Sequence, residues 1–333
     1  MPSIADTTVE MVQFVFPEHA GAPGQIHGGR MMQWISQAGT MAAARVARGT
    51  VVLGAMDDID FLQPVKVGEI AILRAQVEYV GTSSLEVGVR VWAENVTTGR
   101  RAVTLNSHLV FVSVDEDVKP RPVRDRIMPA DAWETALHEE ARARREARRQ
   151  RLTGKRGRGP DAGGEADQDD EVRWRFESVR SVLPEDALFG NLMFPGKMLM
   201  DIDEAGGILS MRYCRGFVMT ACLDAMDFYT PIFSHEVVTF KAGLNYVGSS
   251  SLEVGVKVLA ETPWNGQVRH ACTAYLAYVH LALGPDGLRP SPCRTYVPSS
   301  ATERRRHDEA EVRRARRLTR MKRLKAQLAN ERG

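Results

Sequence analysis

The sequence predicts an α+β protein built from two copies of one module, each with a long central helix wrapped by an antiparallel β-sheet. The first observation is an internal repeat at an offset of 167, because residues 79–94 (YVGTSSLEVGVRVWAE) and 246–261 (YVGSSSLEVGVKVLAE) are identical at 13 of 16 positions. The second is that each copy has one apolar segment with helical spacing followed by several strand-like segments. The third is the length of 333 residues, which suits about two domains.

The repeat extends beyond this stretch at the same offset. Asp60 corresponds to Asp227, and Pro64 corresponds to Pro231. After residue 94 we expect the second copy to gain about two residues in a hairpin and then to realign. A match in constant register over roughly 80 residues indicates a duplicated domain rather than a solenoid.

The elements of the first copy can be assigned in order. We predict strands and one helix at Thr8–Val15, Gly29–Ala47 (the helix, after a loop at Pro17–Gly28), Val51–Phe61, Glu69–Val80, Ser83–Glu94 and Arg101–Val114. The helix is apolar over most of its circumference, so it should be buried against a sheet. In Ser83–Glu94 the apolar residues alternate with polar residues and glycine, as in a strand with two different faces.

The composition of the remaining segments sets the domain boundaries. We predict domain 1 at residues 1–130, a charged helix with a disordered linker at 131–172, domain 2 at 173–290 and a charged C-terminal helix at 291–333. The linker prediction rests on the glycine-rich, charged residues 153–172. We interpret the two charged helices as solvated or coiled-coil-like helices that trail each domain. A nucleic-acid-binding tail is the alternative, but acids are interspersed and no aromatic residues are available to stack on bases.

The overall composition argues against several classes of protein. The net charge of +2 implies no strong preference for nucleic acid or membranes, although basic residues are concentrated in 142–158 and 304–325. We find no signal peptide and no apolar run near 18 residues, so we expect a cytosolic protein. The four cysteines (Cys214, Cys222, Cys272 and Cys293) lack ligand-like spacing. We therefore expect them to be reduced and buried, with no metal site.

The two central helices differ in their acidic residues. Residues 196–210 read GKMLMDIDEAGGILS, whereas the matching residues 29–43 read GRMMQWISQAGTMAA. Asp201 and Glu204 have charged neighbours on their face of the helix. Asp203 instead lies in a stripe of apolar and small residues, and its counterpart in the first copy is Ser36. A buried carboxylate is costly unless it serves a purpose, so Asp203 is a candidate general base or nucleophile. The alternative is that it only hydrogen-bonds a backbone group.

The loops before the two helices provide a second indication of a site. His27-Gly28-Gly29 opens the first helix, where amide N–H groups at the positive end of the helix could stabilise an oxyanion. We interpret His27 as a residue that lines the substrate pocket or supports the fold, because no Cys or Ser nucleophile is evident beside it. In the second copy the matching loop, residues 190–199, reads GNLMFPGKML.

These segments resemble the hotdog-fold acyl-CoA thioesterases, in particular the branch with two hotdog domains in one chain. The resemblance rests on PEHAGAPGQIHGGRMM, PEDALFGNLMFPGKMLMDIDEAGGILSMRYC, MDDIDFLQPVKVGE and GTSSLEVGVRVWAE, and on the charged helix after each domain. It covers residues 8–150 and 172–331, which is nearly the whole chain except the linker.

The resemblance implies a fold and a site. The two hotdog domains would pair through their sheets as an intramolecular pseudo-dimer, with active sites between them. Asp203 matches the family's catalytic Asp, and Gln25 lies where the family usually has Asn, so the two would form one working site. The opposite pair, Ser36 with Asn191, lacks an acid and should be silent. Gly196 at the start of the second helix would polarise the thioester carbonyl, although Pro195 removes one N–H donor there.

The resemblance also implies how the substrate is held. The turns at Ser83-Ser84 and Ser250-Ser251 adjoin the place where the family binds the pantetheine arm, although a purely structural polar turn is an equal alternative. We assign the phosphates of coenzyme A to Arg30 and Lys197, with Arg90 and Lys257 as further candidates.

The implied activity is hydrolysis of acyl-CoA in the cytoplasm. No separate cofactor is needed, since coenzyme A is part of the substrate and product. We expect neither a nucleic-acid partner nor membrane insertion, and we expect a homotrimer of tandem chains.

Two other functions are compatible with such a fold. One is a non-catalytic acyl-CoA sensor or regulatory scaffold, which would bind acyl-CoA without turnover. The other is a hydratase or dehydratase, which needs an Asp–His pair in one loop, and the second copy has no His near Asp203. Release of free thiol from acyl-CoA would distinguish hydrolysis from both.

Overall fold

The computed structural model describes residues 1–155, 171–285 and 287–330. The first half contains β1 Val9–Phe14, α1 Gly28–Ala47, β2 Val51–Met56, β3 Ile59–Asp60, β4 Ile70–Val80, β5 Ser84–Glu94, β6 Arg101–Ser113 and α2 Ala132–Lys155. The second half contains β7 Arg175–Ser181, β8 Ala187–Leu188, β9 Leu192–Met193, α3 Pro195–Cys214, β10 Phe217–Leu223, β11 Met226–Asp227, β12 Val237–Val247, β13 Ser251–Thr262, β14 Gln267–Gly284, β15 Gly287–Pro290 and α4 Ala301–Asn330.

Each half is a long helix packed against an antiparallel sheet. The first sheet has the order β1-β4-β5-β6-β2-β11, and the second has the order β3-β10-β14-β13-β12-β7, with β15 paired to β14. The apolar faces of α1 and α3 belong to one continuous core, in which Ile35 and Leu199 are fully buried. The predicted hotdog architecture, with two domains paired in one chain, is confirmed.

The two sheets exchange a short strand. One predicted strand, Val51–Phe61, is in fact two, because the chain breaks at Asp57-Asp58 between β2 and β3. The second piece, β3, leaves its own sheet and pairs with β10, so that Ile59 lies opposite Leu223. In return, β11 pairs with β2, so that Met226 lies opposite Met56. The two domains are therefore joined by backbone hydrogen bonds as well as by side-chain packing.

The strand register shows that the offset of 167 is kept from the first strand of each domain through the β5–β6 and β13–β14 hairpins. In the first domain Val91 pairs with Leu105 across the β5–β6 hairpin. In the second domain Val258 pairs with Cys272 across the β13–β14 hairpin. Both residues of the second pair are 167 positions after those of the first, so no residue is gained in this hairpin. The expected gain of two residues comes later, because Arg148 on α2 and Arg317 on α4, which pair with the corresponding residues Glu86 and Glu253, are 169 positions apart. The constant offset within the strands permits a residue-by-residue comparison of the two domains.

The charged helices α2 and α4 are docked on the domains through buried ion pairs. Arg148 on α2 contacts Glu86 at 2.6 Å, and Arg317 on α4 contacts Glu253 at 2.6 Å. Glu86 and Glu253 are corresponding residues, and each is 1% exposed. A buried carboxylate needs such a partner, because an unpaired buried charge is strongly destabilising. The interpretation of both helices as merely solvated is therefore corrected.

The C-terminal helix also spans both halves. Arg320 on α4 donates from Nη2 to Asp60 Oδ1 at 2.9 Å and contacts Asp58 at 2.8 Å, both in the first half. Asp60 lies in β3, the strand that the first domain contributes to the second sheet. The helix α4 thus stabilises the position of β3 in the second sheet. Most of the predicted linker lies outside the described residues, and α2 continues three residues into it, to Lys155.

None of the helices in residues 1–155, 171–285 and 287–330 is long and apolar enough to span a bilayer.

Candidate active site

Asp203 is a buried carboxylate that accepts hydrogen bonds from both halves of the chain. Its side chain is 1% exposed. Oδ2 accepts from the backbone N–H of Gly29 at 2.6 Å. Oδ1 accepts from the hydroxyl of Thr220 at 2.7 Å and from the hydroxyl of Tyr278 at 3.1 Å. Because both oxygens accept hydrogen bonds, this buried carboxylate is not left without partners.

The donor from the first half belongs to the N-terminus of α1. His27 is the N-cap residue, and its Nδ1 accepts from the Gly29 N–H at 3.1 Å. The same Nδ1 lies 3.3 Å from Asp203 Oδ2. The first amides of a helix lack intrahelical partners and carry its positive dipole end, so α1 points a positive potential at Asp203. The His27-Gly28-Gly29 loop therefore lies against Asp203, and its predicted role in oxyanion stabilisation or substrate binding stays a prediction.

Two glycines allow the helix end and the carboxylate to approach each other. A Cβ atom added to Gly28 would lie 2.5 Å from Thr220 Oγ1 and 3.0 Å from Asp203 Oδ2. A Cβ added to Gly29 would lie 2.9 Å from the Met200 Cα. Neither space accepts a side chain, so both positions require glycine on steric grounds.

Tyr278 anchors the carboxylate through two contacts. Its hydroxyl is 3.0 Å from the backbone carbonyl oxygen of Asp203 as well as 3.1 Å from Oδ1. Burial raises the pKa of Tyr278 well above its usual range, and the nearby Asp203 charge raises it further. Tyr278 therefore remains a hydrogen-bond donor throughout the physiological pH range.

Gln25 lies two residues before His27, in the loop that approaches Asp203. Its backbone N–H donates to the Ala22 carbonyl at 3.0 Å, and its backbone bridges to Lys66. Its side-chain Oε1 is buried and has no hydrogen-bond partner among the described residues. Such an atom is costly unless something else supplies a donor, as a bound ligand or water would.

The predicted position of Gly196 differs from the observed one. Gly196 is in the first turn of α3, seven residues before Asp203, and seven residues of α-helix rise about 10 Å. Its Cα faces Phe194 and Gln33, since an added Cβ would lie 2.4 Å and 3.1 Å from atoms of those side chains. The glycine beside the Asp203 carboxylate is Gly29, the counterpart of Gly196 in the first copy.

The other side of the pseudo-dimer lacks most of the polar groups of this cluster. The corresponding residues at the offset of 167 are Gln25 and Leu192, His27 and Phe194, Gly28 and Pro195, Gly29 and Gly196, Asp203 and Ser36, Thr220 and Leu53, and Tyr278 and Phe111. Ser36 is fully buried, and its Oγ has no hydrogen-bond partner among the described residues. No carboxylate or imidazole remains among these seven positions.

Asn191, which was predicted to pair with Ser36, is not the counterpart of Gln25. It is exposed, and its carbonyl accepts from the Ser234 N–H at 2.7 Å. Leu192 occupies the Gln25 position and is 7% exposed. The degenerate side therefore lacks both the acid and the amide.

The predicted substrate-binding turns lie at hairpin ends of both sheets. The Gly81 N–H donates to the Ser84 carbonyl at 2.7 Å, and the Gly248 N–H donates to the Ser251 carbonyl at 2.7 Å. Ser251 pairs with Val279, the residue after Tyr278, so the second turn begins close to the carboxylate.

The Ser83 carbonyl accepts from the Ser113 N–H at 2.7 Å, and the Ser250 carbonyl accepts from the His280 N–H at 2.9 Å. These backbone bonds close the turns. The predicted role of the serine side chains in substrate binding stays a prediction.

The four basic residues considered for the phosphates come from both halves of the chain, and each is partly exposed. Arg30 donates from Nη1 to Gln33 at 2.7 Å, and Lys197 is 3.9 Å from Asp186. Arg90 lies over the Trp92 ring at 5.5 Å. Their assignment to coenzyme A stays a prediction, as does that of Lys257.

Two hydroxyls beside Asp203 were not predicted. Thr220 and Tyr278 lie on β10 and β14, strands of the second domain. A signal was present, because their counterparts at the same offset are Leu53 and Phe111. Polar residues that replace apolar ones in a duplicated core indicate the side of the molecule where chemistry is performed.

Among the described residues, Cys214, His280 and Cys293 form a largely buried cluster of metal-ligating side chains apart from Asp203. Ligand atoms of Cys214, His280 and Cys293 lie within 4.8 Å of one another, and the two Sγ atoms are 4.0 Å apart. Burial raises the pKa of Cys214 to about 12, and proximity to Cys293 adds to this effect. Both thiols would have to lose a proton before they bound a metal. The predicted absence of a metal stays a prediction.

Comparison with known proteins gives a consistent result. A model of the thioesterase superfamily matches residues 23–100 and 190–263, which are corresponding parts of the two copies. The cytosolic acyl coenzyme A thioester hydrolase of Mus musculus is 27% identical over 316 residues, 92% of this chain and 82% of that protein. The uncharacterized acyl-CoA thioester hydrolase YkhA of Bacillus subtilis is 37% identical over 137 residues, 41% of this chain and 79% of that protein.

A related structure has also been solved. It is the acyl-CoA hydrolase from Staphylococcus aureus in complex with butyryl coenzyme A, coenzyme A and coenzyme A disulfide. It is 30% identical, covers 46% of this chain and 94% of that chain, and has a TM-score of 0.42. From the sequence matches and the fold, the chain belongs to the thioesterase superfamily, with two of its domains in tandem.

Proposed function

We propose that this protein hydrolyses acyl-CoA to free fatty acid and coenzyme A at one site between its two hotdog domains. The observation that carries the proposal is the buried Asp203 carboxylate, held 2.6 Å from an amide of the opposing helix N-terminus. A basic or nucleophilic oxygen beside fixed N–H donors is the arrangement that acyl transfer requires. The names of the superfamily relatives support the same substrate class.

In this mechanism Asp203 either takes a proton from water or attacks the thioester carbonyl itself. In the first route the water oxygen bonds to the carbonyl carbon, the C–S bond breaks, and Asp203 passes the proton that it took to the thiolate of coenzyme A. In the second route an Asp203 oxygen bonds to the carbonyl carbon as the C–S bond breaks, and water then hydrolyses the resulting anhydride and supplies the proton to the thiolate. The hydroxyls of Thr220 and Tyr278 hold Oδ1, so Oδ2 faces the reacting group. The reaction consumes only water, and the proposed mechanism uses no separate cofactor.

The thioester oxygen would be polarised by α1 rather than by Gly196. Gly28 is the first residue of α1, so its N–H has no intrahelical partner and belongs to the positive end of the helix. The buried Oε1 of Gln25, without a partner in the described residues, could accept from the attacking water. This assignment replaces the predicted role of Gly196 and retains those of Gln25, His27, Gly28 and Gly29.

The test is release of free thiol from acyl-CoA substrates of increasing chain length. We expect turnover by the full chain, and a loss of about 10²- to 10⁴-fold in kcat for Asp203→Asn. Ser36→Ala is the matched control, since Ser36 is the corresponding residue and is equally buried. It should retain nearly full activity. Thermal unfolding of both variants would show whether a loss arises from the chemistry.

Three outcomes would contradict the proposal. Equal loss in both variants would exclude a single working site. Full activity of Asp203→Asn would exclude Asp203 as base or nucleophile. Tight binding of acyl-CoA without thiol release would instead support a non-catalytic sensor.

We further propose that three tandem chains assemble into a trimer in the cytosol. The support is the resemblance of the chain to thioesterases that join three such pseudo-dimers, and the location in the name of the mouse relative. Light scattering should then give about 111 kDa, three times the 37.0 kDa of one chain. A mass of 37 kDa or of six chains would contradict the trimer.

A further inference from the structure

A cavity of about 240 Å³ lies between the two domains on the side that has lost its acid. Its walls come from both halves of the chain. The first domain contributes β2 and the end of β6, including Leu53 and Val112. The second contributes the start of α3 and the segment after β11, including Phe194, Met198 and Ile232.

This cavity is the pseudo-symmetric counterpart of the region around Asp203. Four of its lining residues are counterparts of residues near the carboxylate. These are Leu53 for Thr220, Leu192 for Gln25, Phe194 for His27 and Pro195 for Gly28. At every one of these positions a polar group or a glycine has become an apolar side chain, yet the space between the domains remains. This side of the pseudo-dimer therefore has an apolar lining where the Asp203 side has polar groups and glycine.

The lining also holds one polar atom that requires a partner. Thr230 Oγ1 is buried and has no hydrogen-bond partner among the described residues. The other threonine hydroxyl of the wall, that of Thr40, already donates to the Ser36 carbonyl at 2.7 Å. A ligand that satisfied Thr230 would need an oxygen next to a long apolar portion.

We propose that this cavity binds the hydrocarbon chain of a fatty acid or fatty acyl ester without cleaving it. An apolar cavity of about 150 Å³ remains dry and holds benzene, so 240 Å³ would hold roughly ten carbon atoms in proportion. The carboxyl or ester oxygen would accept from Thr230. No acid or imidazole corresponding to Asp203 or His27 is present, so the bound chain is not hydrolysed. This binding does not depend on the proposed hydrolysis.

The test is titration of the wild-type protein with straight-chain fatty acids from six to fourteen carbons, followed by calorimetry. Each added CH₂ should tighten binding about fourfold, with a plateau near ten carbons. The same titration with a non-hydrolysable thioether analogue of decanoyl-CoA would show whether the free acid or the coenzyme A ester is preferred.

Three variants assign the binding to the cavity. Val112→Phe, which fills the cavity, should weaken binding at least tenfold and leave kcat for thioester hydrolysis unchanged. Val279→Phe, at the corresponding position on the Asp203 side, is the matched control and should leave this binding intact. Thr230→Val changes no volume and should weaken binding about fivefold through loss of one hydrogen bond.

Several results would overturn the proposal. One is binding that Val112→Phe and Thr230→Val both leave unchanged, and another is binding that only Val279→Phe removes. A steady rise in affinity to fourteen carbons would show that the chain lies elsewhere. These results are independent of thiol release, so failure of the proposed hydrolysis would be seen separately.

Discussion

The amide nitrogen of Gly29 lies 2.6 Å from Oδ2 of Asp203, although 174 residues separate them along the chain. The helix that bears the carboxylate and the helix end that faces it belong to different copies of a duplicated domain. Because Ser36 occupies the Asp203 position in the first copy, only one combination of helix and loop retains an acid. Neither domain alone contains the complete cluster.

The first prediction concerns the two hydroxyls that hold Asp203. Thr220→Val and Tyr278→Phe each remove one donor to Oδ1 and leave the size of the side chain almost unchanged. A hydrogen bond to a charged group contributes about 1.5–3 kcal/mol, so kcat should fall about 10- to 100-fold. Because these residues position Asp203 rather than touch the substrate, KM should change little.

The matched control for these variants is Ser210→Ala. Ser210 is fully buried on the same helix and donates to the Gly206 carbonyl at 2.7 Å, without contact to Asp203. It should cost comparable thermal stability with no loss of kcat. If kcat and thermal stability fell together in all three variants, the two hydroxyls would have only a structural role.

The second prediction concerns Gln25, whose counterpart on the side without an acid is Leu192. Gln25→Leu introduces the side chain of its counterpart Leu192. Because Gln25 Oε1 is buried without a partner in the described residues, its removal should leave thermal stability unchanged or slightly higher. Thiol release should nevertheless fall about 10- to 100-fold in kcat/KM if the amide orients water or substrate. Unchanged kinetics would remove Gln25 from the site.

Features that depend on residues close together in the sequence could be predicted, whereas features that depend on contacts between distant residues could not. The duplication, the two buried helices and Asp203 were predictable, because each is visible in local spacing or in comparison of the copies. The strand exchange was not, since the break at Asp57-Asp58 follows a continuous apolar run that is typical of a single strand. Its cause is pairing with β10, far away in the sequence.

The sequence predicted that glycines at a helix start contribute to the site, but not which glycine lies beside Asp203. The sequence indicated that amides at a helix start would face the acid, but Gly196 was assigned by its proximity in sequence. In the fold, the helix rise separates Gly196 from Asp203, and the domain interface brings Gly29 there instead. Ion pairs such as Arg317 with Glu253 were also out of reach, because charge runs are normally solvated and only the packed helix shows the buried partner.

The third prediction is a pH dependence of stability at Glu303, near the start of α4. Burial would raise the pKa of Glu303, but hydrogen bonds from Ser299 and Arg173 outweigh it and lower the pKa to about 2. A lowered carboxyl pKa stabilises the folded state above the unfolded value, and this contribution is lost as the pH falls towards 2. Its full size is at most about 3 kcal/mol.

Glu303→Gln should therefore destabilise the protein by up to about 3 kcal/mol at pH 7, as measured by urea unfolding. The difference from wild type should be constant above about pH 5.5 and should narrow below about pH 4.5. Glu185→Gln, at an exposed carboxylate, is the control and should show almost no difference. A gap that widened on acidification would have the wrong sign and would contradict this account.

The fourth prediction asks what the silent side lacks. Ser36→Asp restores the acid, but Leu53 and Phe111 cannot donate the hydroxyl hydrogen bonds that Thr220 and Tyr278 give to Asp203. The variant should therefore lose about 3 kcal/mol of folding stability, because the new charge is buried with too few donors. Its rate of thiol release should not exceed that of the wild type.

The combined variant Ser36→Asp/Leu53→Thr/Phe111→Tyr supplies both hydroxyls. The ring of Phe111 packs beside Gly39, which corresponds to Gly206 beside Tyr278, so the added hydroxyl has an equivalent glycine to face. We expect it to recover at least about 1 kcal/mol relative to Ser36→Asp alone, measured by chemical unfolding. Leu53→Thr/Phe111→Tyr without the acid is the control and should be less stable than wild type. If the hydroxyls gave no recovery in the presence of the acid, the coupling between Asp203, Thr220 and Tyr278 would have to be abandoned.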